Sequence, residues 1–174
     1  MMNVLVTGGA GYIGSHVVEE LQKNGFTPIV YDNLSTGHAA AVPEEVQLVE
    51  GDIHDVAFLK HIMAQFEIDA VIHFAASSLV GESMENPSKY YFNNVEGSLH
   101  LLEAMKGAGV DYIVFSSTAA VYGEPESVPI KEDSCLNPTN VYGRTKLMIE
   151  KMLADYDMAV SYTHLRAHET CADL

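Results

Sequence analysis

The chain has 174 residues, 48% of them hydrophobic, and a formal net charge of −15. This length supports one α/β domain with a buried core and is too short for two. The acidity speaks against nucleic acid and anionic membrane surfaces as partners, so an anionic ligand must be held by local amide groups rather than by the overall field. No apolar run approaches the length of a membrane span and no signal peptide precedes the first strand, which makes the cytoplasm the expected location. Cys135 and Cys171 lie in dissimilar settings and the eight histidines lack ligand spacing, so neither a disulfide framework nor a metal site is expected.

Taken in order, Val4-Leu5-Val6 is a buried strand that runs into Thr7-Gly8-Gly9-Ala10-Gly11-Tyr12-Ile13-Gly14-Ser15-His16, after which Val17, Val18 and Leu21 recur at helical spacing. Gly9, Gly11 and Gly14 satisfy G-x-G-x-x-G, while Gly8, Gly11 and Gly14 satisfy the G-x-x-G-x-x-G variant. A turn this tight excludes side chains, and the helix behind it aims its unpaired amides and positive dipole end at whatever sits there, which suits a pyrophosphate. Gly14 lets the helix pack closely on the sheet. The next apolar run, Thr27 to Val30, closes on Tyr31-Asp32 about 20 residues further on, where a carboxylate bonds both ribose hydroxyls and repels a 2′-phosphate. The combination predicts a dinucleotide site that favours NAD over NADP.

The polar run Asp32-Asn33-Leu34-Ser35-Thr36-Gly37-His38 follows, where an adenosine ribose would lie. Val46 to Glu50 reads as a third strand ending in Gly51-Asp52-Ile53. The Asp52 carboxylate is placed to accept from the exocyclic amine of adenine, to cap the helix built on Phe58, Leu59, Ile62, Met63 and Phe66, or to do both. Asp69 to Phe74 is the fourth strand, apolar from Ala70 to Ile72 and so buried on both faces, with His73 reading as a core residue near its end. Ala75, Ala76, Ser77 and Ser78 come next, small residues at the end where open parallel sheets bind ligands. Pro87 opens a long helix through Tyr91, Val95, Leu99, Leu102 and Met105 to Gly107, which carries Asn93 and Asn94. Asp111 to Phe115 is strand five, ending in Ser116-Ser117-Thr118-Ala119-Ala120-Val121-Tyr122-Gly123. After a loop with Pro125, Pro129 and Pro138, a last helix runs from about Asn140 to Tyr156. Strands alternating with helices in this way pair in parallel through right-handed crossovers, giving a doubly wound α/β sheet of the Rossmann type.

Tyr142-Gly143-Arg144-Thr145-Lys146 sets Tyr142 and Lys146 four apart on that last helix, on one face. The helix follows strand five, whose end offers the hydroxyls of Ser116, Ser117 and Thr118 near the nicotinamide end of a dinucleotide. A free tyrosine has a pKa of about 10, and lowering it by about 3 units to act near neutral pH requires roughly 4 kcal/mol. A cation about 4 Å away at an effective dielectric near 20 supplies about that much, and an oxidised nicotinamide adds to it. Lys146 is a sufficient partner and is also placed to bond the ribose.

In this order and spacing, Thr7 to His16, Asp32-Asn33-Leu34, Gly51-Asp52-Ile53, Phe74-Ala75-Ala76, Val80-Gly81-Glu82-Ser83, Asn93-Asn94-Val95, Phe115 to Gly123 and Tyr142 to Lys146 closely resemble the UDP-hexose 4-epimerases of the extended short-chain dehydrogenase/reductase family. The resemblance covers Met1 to Ala159 and marks the chain as an amino-terminal fragment. It implies that Tyr142 takes the proton of the sugar 4-hydroxyl while hydride passes to NAD, that the 4-keto sugar rotates, and that hydride returns to the other face, interconverting UDP-glucose and UDP-galactose in galactose metabolism. It also implies that Thr118 shares the substrate proton and that Gly8, Gly11, Tyr12, Ile13, Asp32, Asn33, Asp52, Ile53, Phe74, Ala75, Ala76, Asn93 and Lys146 stand at cofactor positions. Gly14, Ser116 and Tyr142 complete the expected cofactor set. Some members carry a lysine where this chain has Ser78. Related dehydratases carry acids just after the threonine, where this chain has Ala119 and Ala120, which favours return of the hydride over elimination. A related NAD-dependent dehydratase or decarboxylase and a non-catalytic dinucleotide-binding module remain the alternatives; retention of Thr118, Tyr142 and Lys146 speaks against the second. The helix after Pro87 and the Tyr142 helix resemble the dimerisation helices of the family, which implies a homodimer.

Ser161-Tyr162-Thr163-His164-Leu165-Arg166-Ala167-His168-Glu169-Thr170 is polar and His-rich, where such a sheet would add another apolar strand. It looks like the translation of a transposon-type sequencing adapter. Residues 160–174 are therefore expected to be a non-native tail, and residues 1–159 an NAD-binding domain truncated before the last strand and before the part that in the family grips the UDP-sugar. Without binding energy from the nucleotide part of the substrate, little or no turnover is expected of the chain as it stands. Loss of the neighbouring strand is expected to leave an apolar patch that promotes association.

Overall fold

The computed structural model describes residues 1–125, 127–160 and 163–167. Its centre is a parallel sheet of β1 (Asn3–Thr7), β2 (Thr27–Asp32), β3 (Gln47–Glu50), β4 (Ala70–His73), β5 (Tyr112–Ser116) and β6 (Thr163–Ala167), in the order β3-β2-β1-β4-β5-β6. Leu5 of β1 stands opposite Ile29 on one side and Val71 on the other, and Ile72 of β4 opposite Val114. The chain builds outward from β1 to β3, then crosses back to begin again at β4. That reversal opens a crevice above the carboxyl ends of β1 and β4, the place where sheets of this kind bind ligands.

Side chains of β1 alternate between two cores. Leu5 joins Ile29 and Tyr31 on the face covered by α2 (Val56–Gln65), the helix α5 (Gly97–Ala108) and α6 (Val141–Val160), which contribute Leu59, Ile62, Leu101, Met105, Ile149 and Leu153. Val4 and Val6 join Val30 on the other face under Val18 of α1 (Tyr12–Lys23). Asn140 caps α6, its Oδ1 accepting from the Gly143 amide at 2.7 Å. No helix among the described residues is long and apolar enough to cross a membrane.

Three expectations need correction. The sheet does not stop at strand five: β6 pairs in parallel with β5, Tyr112 opposite Thr163 and Ser116 opposite Ala167. An edge strand is held by main-chain hydrogen bonds, which do not depend on side-chain type, so a polar sequence carried no periodic signal for it. The remaining residues of the expected tail, 161–162 and 168–174, and Cys171 with them, lie outside the described residues. The long helix after Pro87 is not uniform either. A short α3 (Val80–Glu85) precedes it, α4 (Pro87–Tyr90) opens it, and a π-helical turn over Tyr91–Glu96 separates α4 from α5. Finally, the cap of α2 is Asp55, whose Oδ1 accepts from the Phe58 amide at 2.9 Å, and not Asp52.

Candidate functional site

The glycine turn sits against the end of β4. Gly8 has φ of 75°, and a Cβ there would meet the Ala75 amide nitrogen at 2.6 Å. A Cβ on Gly14 would meet the Gly8 carbonyl oxygen at 2.3 Å, so α1 can approach the turn only with glycine at that position. No side chain caps α1 at Gly11, which leaves its first amides facing the crevice. Asp32, buried at the end of β2, is held by two main-chain amides: Ala10 donates to Oδ2 at 3.0 Å and Leu34 to Oδ1 at 2.9 Å. Its remaining lone pairs are those a ribose diol would use.

These groups border a cleft of about 760 Å³, within the range of small-molecule sites. Of the residues expected to contact a cofactor, Gly8, Gly11, Tyr12, Ile13, Gly14, Asp32, Asn33, Ile53, Phe74, Ala75, Ala76, Asn93, Ser116, Tyr142 and Lys146 all line it. Asp52 does not. In the chain it falls between the lining residues Gly51 and Ile53, with Asn33 Nδ2 donating to its Oδ2 at 3.0 Å and the His54 amide donating to Oδ1 at 2.9 Å. Partial burial pushes its carboxyl upward, but the hydrogen bonds from Asn33 and His54 outweigh this and hold it below the usual carboxylate range. Sequence reasoning missed Phe92 and Lys89, which also line the cleft; Lys89 is held there by Glu82 at 2.6 Å.

Lys146 is buried, its Nζ donating to the Ser116 carbonyl at 2.7 Å and lying 5.8 Å from the centre of the Tyr142 ring and 4.8 Å from that of Phe115. Tyr142 is buried beside Tyr90 and Val141, and its amide donates to Ser83 Oγ at 3.2 Å, which ties the first turn of α6 to α3. Of the three hydroxyls expected at the end of β5, only Ser116 belongs to the lining. Ser117 is directed away and donates to the Glu150 carboxylate. Thr118 is fully buried and caps a short 3-10 turn, Ala119–Tyr122, its Oγ1 accepting from the Ala120 amide at 3.2 Å. The cap uses a lone pair of Oγ1 and leaves its O–H able to donate.

Beneath the cleft runs a buried chain of hydrogen bonds whose polarity can be assigned. Ser98 Oγ donates to the Asn94 carbonyl at 2.5 Å, so it accepts from His73 Nε2 at 2.9 Å, and His73 Nδ1 accepts from Thr7 Oγ1 at 2.7 Å. Asn94 then joins three elements: Oδ1 accepts from the Ser77 amide at 2.8 Å, while Nδ2 donates to the Ser77 carbonyl at 3.0 Å and to Thr145 Oγ1 at 3.1 Å. Thr145 donates to the Tyr142 carbonyl at 2.7 Å. Burial, reinforced by the nearby Lys146 charge, pushes His73 down to about 3, so it is the neutral core histidine that its sequence position implies. Because the folded state refuses a proton that the unfolded chain accepts, stability is complete above about pH 6.5 and falls by about 1.4 kcal/mol per pH unit as acid is added towards pH 3. Urea midpoints of this chain and of His73→Asn between pH 7 and 5 test this; the histidine's share of the slope should vanish in the variant.

The fold and the cleft define a Rossmann-type α/β domain with a Tyr-x-x-x-Lys pair at the mouth of the sheet. The chain belongs to the NAD dependent epimerase/dehydratase family, whose sequence profile matches residues 4–171. A UDP-glucose 4-epimerase of Lactobacillus helveticus is 54% identical over 167 residues, which are 95% of this chain and 51% of that protein. The crystal structure of UDP-glucose 4-epimerase from Brucella ovis in complex with NAD superposes with a TM-score of 0.94 at 50% identity, covering 97% of this chain and 51% of that one. The Bifidobacterium longum UDP-glucose 4-epimerase, in complex with NAD+ and UDP, gives 0.91 at 39% identity over 95% of this chain and 52% of that one. The chain thus spans about half the length of the relatives it matches.

Proposed function

We propose that this chain is the NAD-binding part of a UDP-glucose 4-epimerase that interconverts UDP-glucose and UDP-galactose. The observation that carries the reading is Lys146: a buried ammonium, fixed by the Ser116 carbonyl and set beside the Tyr142 ring in the cleft that also holds the glycine turn and Asp32. The glycine turn and the first amides of α1 receive the pyrophosphate, and Asp32 receives the ribose hydroxyls. When bound, NAD supplies an acceptor that takes hydride from the sugar C4 and gives it back. Tyr142 holds and returns the proton of the 4-hydroxyl at its Oη. Lys146 stabilises the phenolate by about 3 kcal/mol at its separation from the ring, taking an effective dielectric near 20. In this scheme Thr118, whose cap on the Ala120 amide uses only an Oγ1 lone pair, shares the substrate proton through its hydroxyl.

The same reading takes residues 1–159 as the NAD-binding domain and residues 160–174 as a non-native tail; sequencing the source locus across the last codons tests it. It makes the protein a cytoplasmic homodimer, with no nucleic-acid or membrane partner. Exposed Tyr91, Phe92, Leu99 and Met148, which share an apolar groove between the two helices expected to dimerise, support the dimer. Titration of this chain with NAD and NADP is the direct test of the cleft. NAD should bind and NADP should bind more weakly, since a 2′-phosphate meets the Asp32 carboxylate; absence of saturable NAD binding overturns the reading. The full-length product is then assayed for interconversion of the two UDP-sugars.

A further inference from the structure

His54 follows the lining residue Ile53 in the chain and stacks on the lining residue Phe92, and its environment is built from both sides. Its ring stacks on Phe92 of the π-helical turn, centroids 4.3 Å apart and planes 10° from parallel. Nδ1 lies 2.6 Å from Asp52 Oδ1 and Nε2 lies 3.2 Å from the Phe92 carbonyl oxygen. A carboxylate and a carbonyl only accept hydrogen bonds, so both contacts are made together only when both ring nitrogens carry protons. In that state one imidazolium ties the loop after β3 to the π-helical turn. Asn33 holds the other Asp52 oxygen, so the carboxylate is directed from two sides, with the lining residues Gly51 and Ile53 on either side of it in the chain.

We propose that doubly protonated His54 is a positioning residue for the adenine end of the cleft: it pins the Asp52 carboxylate against the Phe92 wall so that the carboxylate receives the exocyclic amine of adenine. This rests on the reading of the cleft as an NAD site. The titratable and charged groups facing the ring are Asp52, from the loop that carries His54 itself, and His100 of α5, which meets it edge-on at 5.6 Å. The π-helical turn contributes the Phe92 carbonyl, and Tyr31 of β2 is engaged with the Asp52 carbonyl instead. His54 is largely covered, its side chain 19% exposed against 49% for Asp52.

The test is calorimetric titration of this chain with NAD and with nicotinamide hypoxanthine dinucleotide, in which a carbonyl replaces the exocyclic amine, at about pH 6 and about pH 8.5, on either side of the ordinary histidine range. Two variants accompany the wild type: His54→Phe keeps a ring on Phe92 without N–H groups, and His54→Arg keeps several donors and a charge at every pH. Wild-type affinity for NAD should fall about tenfold between the two pH values. His54→Phe should be weak at both, and His54→Arg should hold the tighter affinity at both. The hypoxanthine dinucleotide should bind all three proteins alike. Equal NAD binding by wild type and His54→Phe overturns the proposal, as does a pH dependence that persists in His54→Arg, or an equal loss for the two dinucleotides, which would mark His54 as packing alone. A flat wild-type profile overturns it without any variant. If the wild type binds no NAD at any pH, the cofactor reading itself fails and this inference goes with it.

Discussion

Under the proposed function, Tyr142→Phe in the full-length protein is expected to lower kcat about 10³-fold, the usual scale for losing a positioned acid–base group, while NAD still binds. The ring stays in its buried niche beside Tyr90 and Val141, and the main-chain contact to Ser83 does not involve the hydroxyl, so the variant should fold like the parent. Lys146→Ala gives the contrasting pattern. It removes the ammonium that stands by both the Ser116 carbonyl and the Tyr142 ring, so turnover and NAD affinity should fall together. Steady-state rates with UDP-galactose, set beside NAD titrations of the same preparations, separate the two. Retention of turnover by Tyr142→Phe would remove Tyr142 from the chemistry.

The second large effect is on stability. Asn94→Ala should destabilise this chain by about 3 kcal/mol, because it leaves the half-buried Ser77 amide and carbonyl without their partner and strips one from buried Thr145. For a chain of this size that corresponds to a fall in Tm of roughly 6–12 °C. Thermal unfolding followed by circular dichroism reads it directly, and a fall below about 2 °C would show that water replaces the lost bonds. Asn93→Ala, one residue away on the cleft wall, should instead weaken NAD binding with a smaller change in Tm, since Asn93 is joined to the network only through Asn94 Oδ1.

What the sequence disclosed and what it withheld follow from the range of the interactions. The glycine turn, Asp32 and the Tyr142/Lys146 pair are written in short spacings, because each depends on one turn or one helical repeat, and the structure brings all of them to a single cleft. The inner strands β1, β2, β4 and β5 were legible from apolar runs, as expected for a sheet covered on both faces, and the edge strand β3 from its short Leu48-Val49 centre. The strand β6 was not, since edge pairing leaves no such run. Thr118 was legible as a hydroxyl at the end of β5, whereas its cap on the Ala119–Tyr122 turn was not. His54, Phe92 and Asp52 are brought together across 38 and 40 positions, a juxtaposition that no local pattern encodes. The polar core from Thr7 through His73 to Asn94 and Thr145 likewise joins two strands, the π-helical turn and α6, and only the apolar setting of His73 hinted at it.

The π-helical turn at Tyr91–Glu96 gives the rod from Pro87 to Ala108 two independent phases. In an unbroken α-helix each residue advances about 100°, so the face that packs Tyr90 beside Tyr142 would dictate where Leu101 and Met105 point. The wider turn absorbs one extra residue and lets Tyr90 face α6, Asn93 face the cleft and Leu101 and Met105 face α2, each in register with its own neighbour. The helix is therefore more sensitive to its length than to its letters. Deleting a single residue between Tyr91 and Glu96 would rewind it as α-helix and swing one half about a third of a turn against the other, parting the cleft wall from the core with every side-chain identity outside the deletion unchanged.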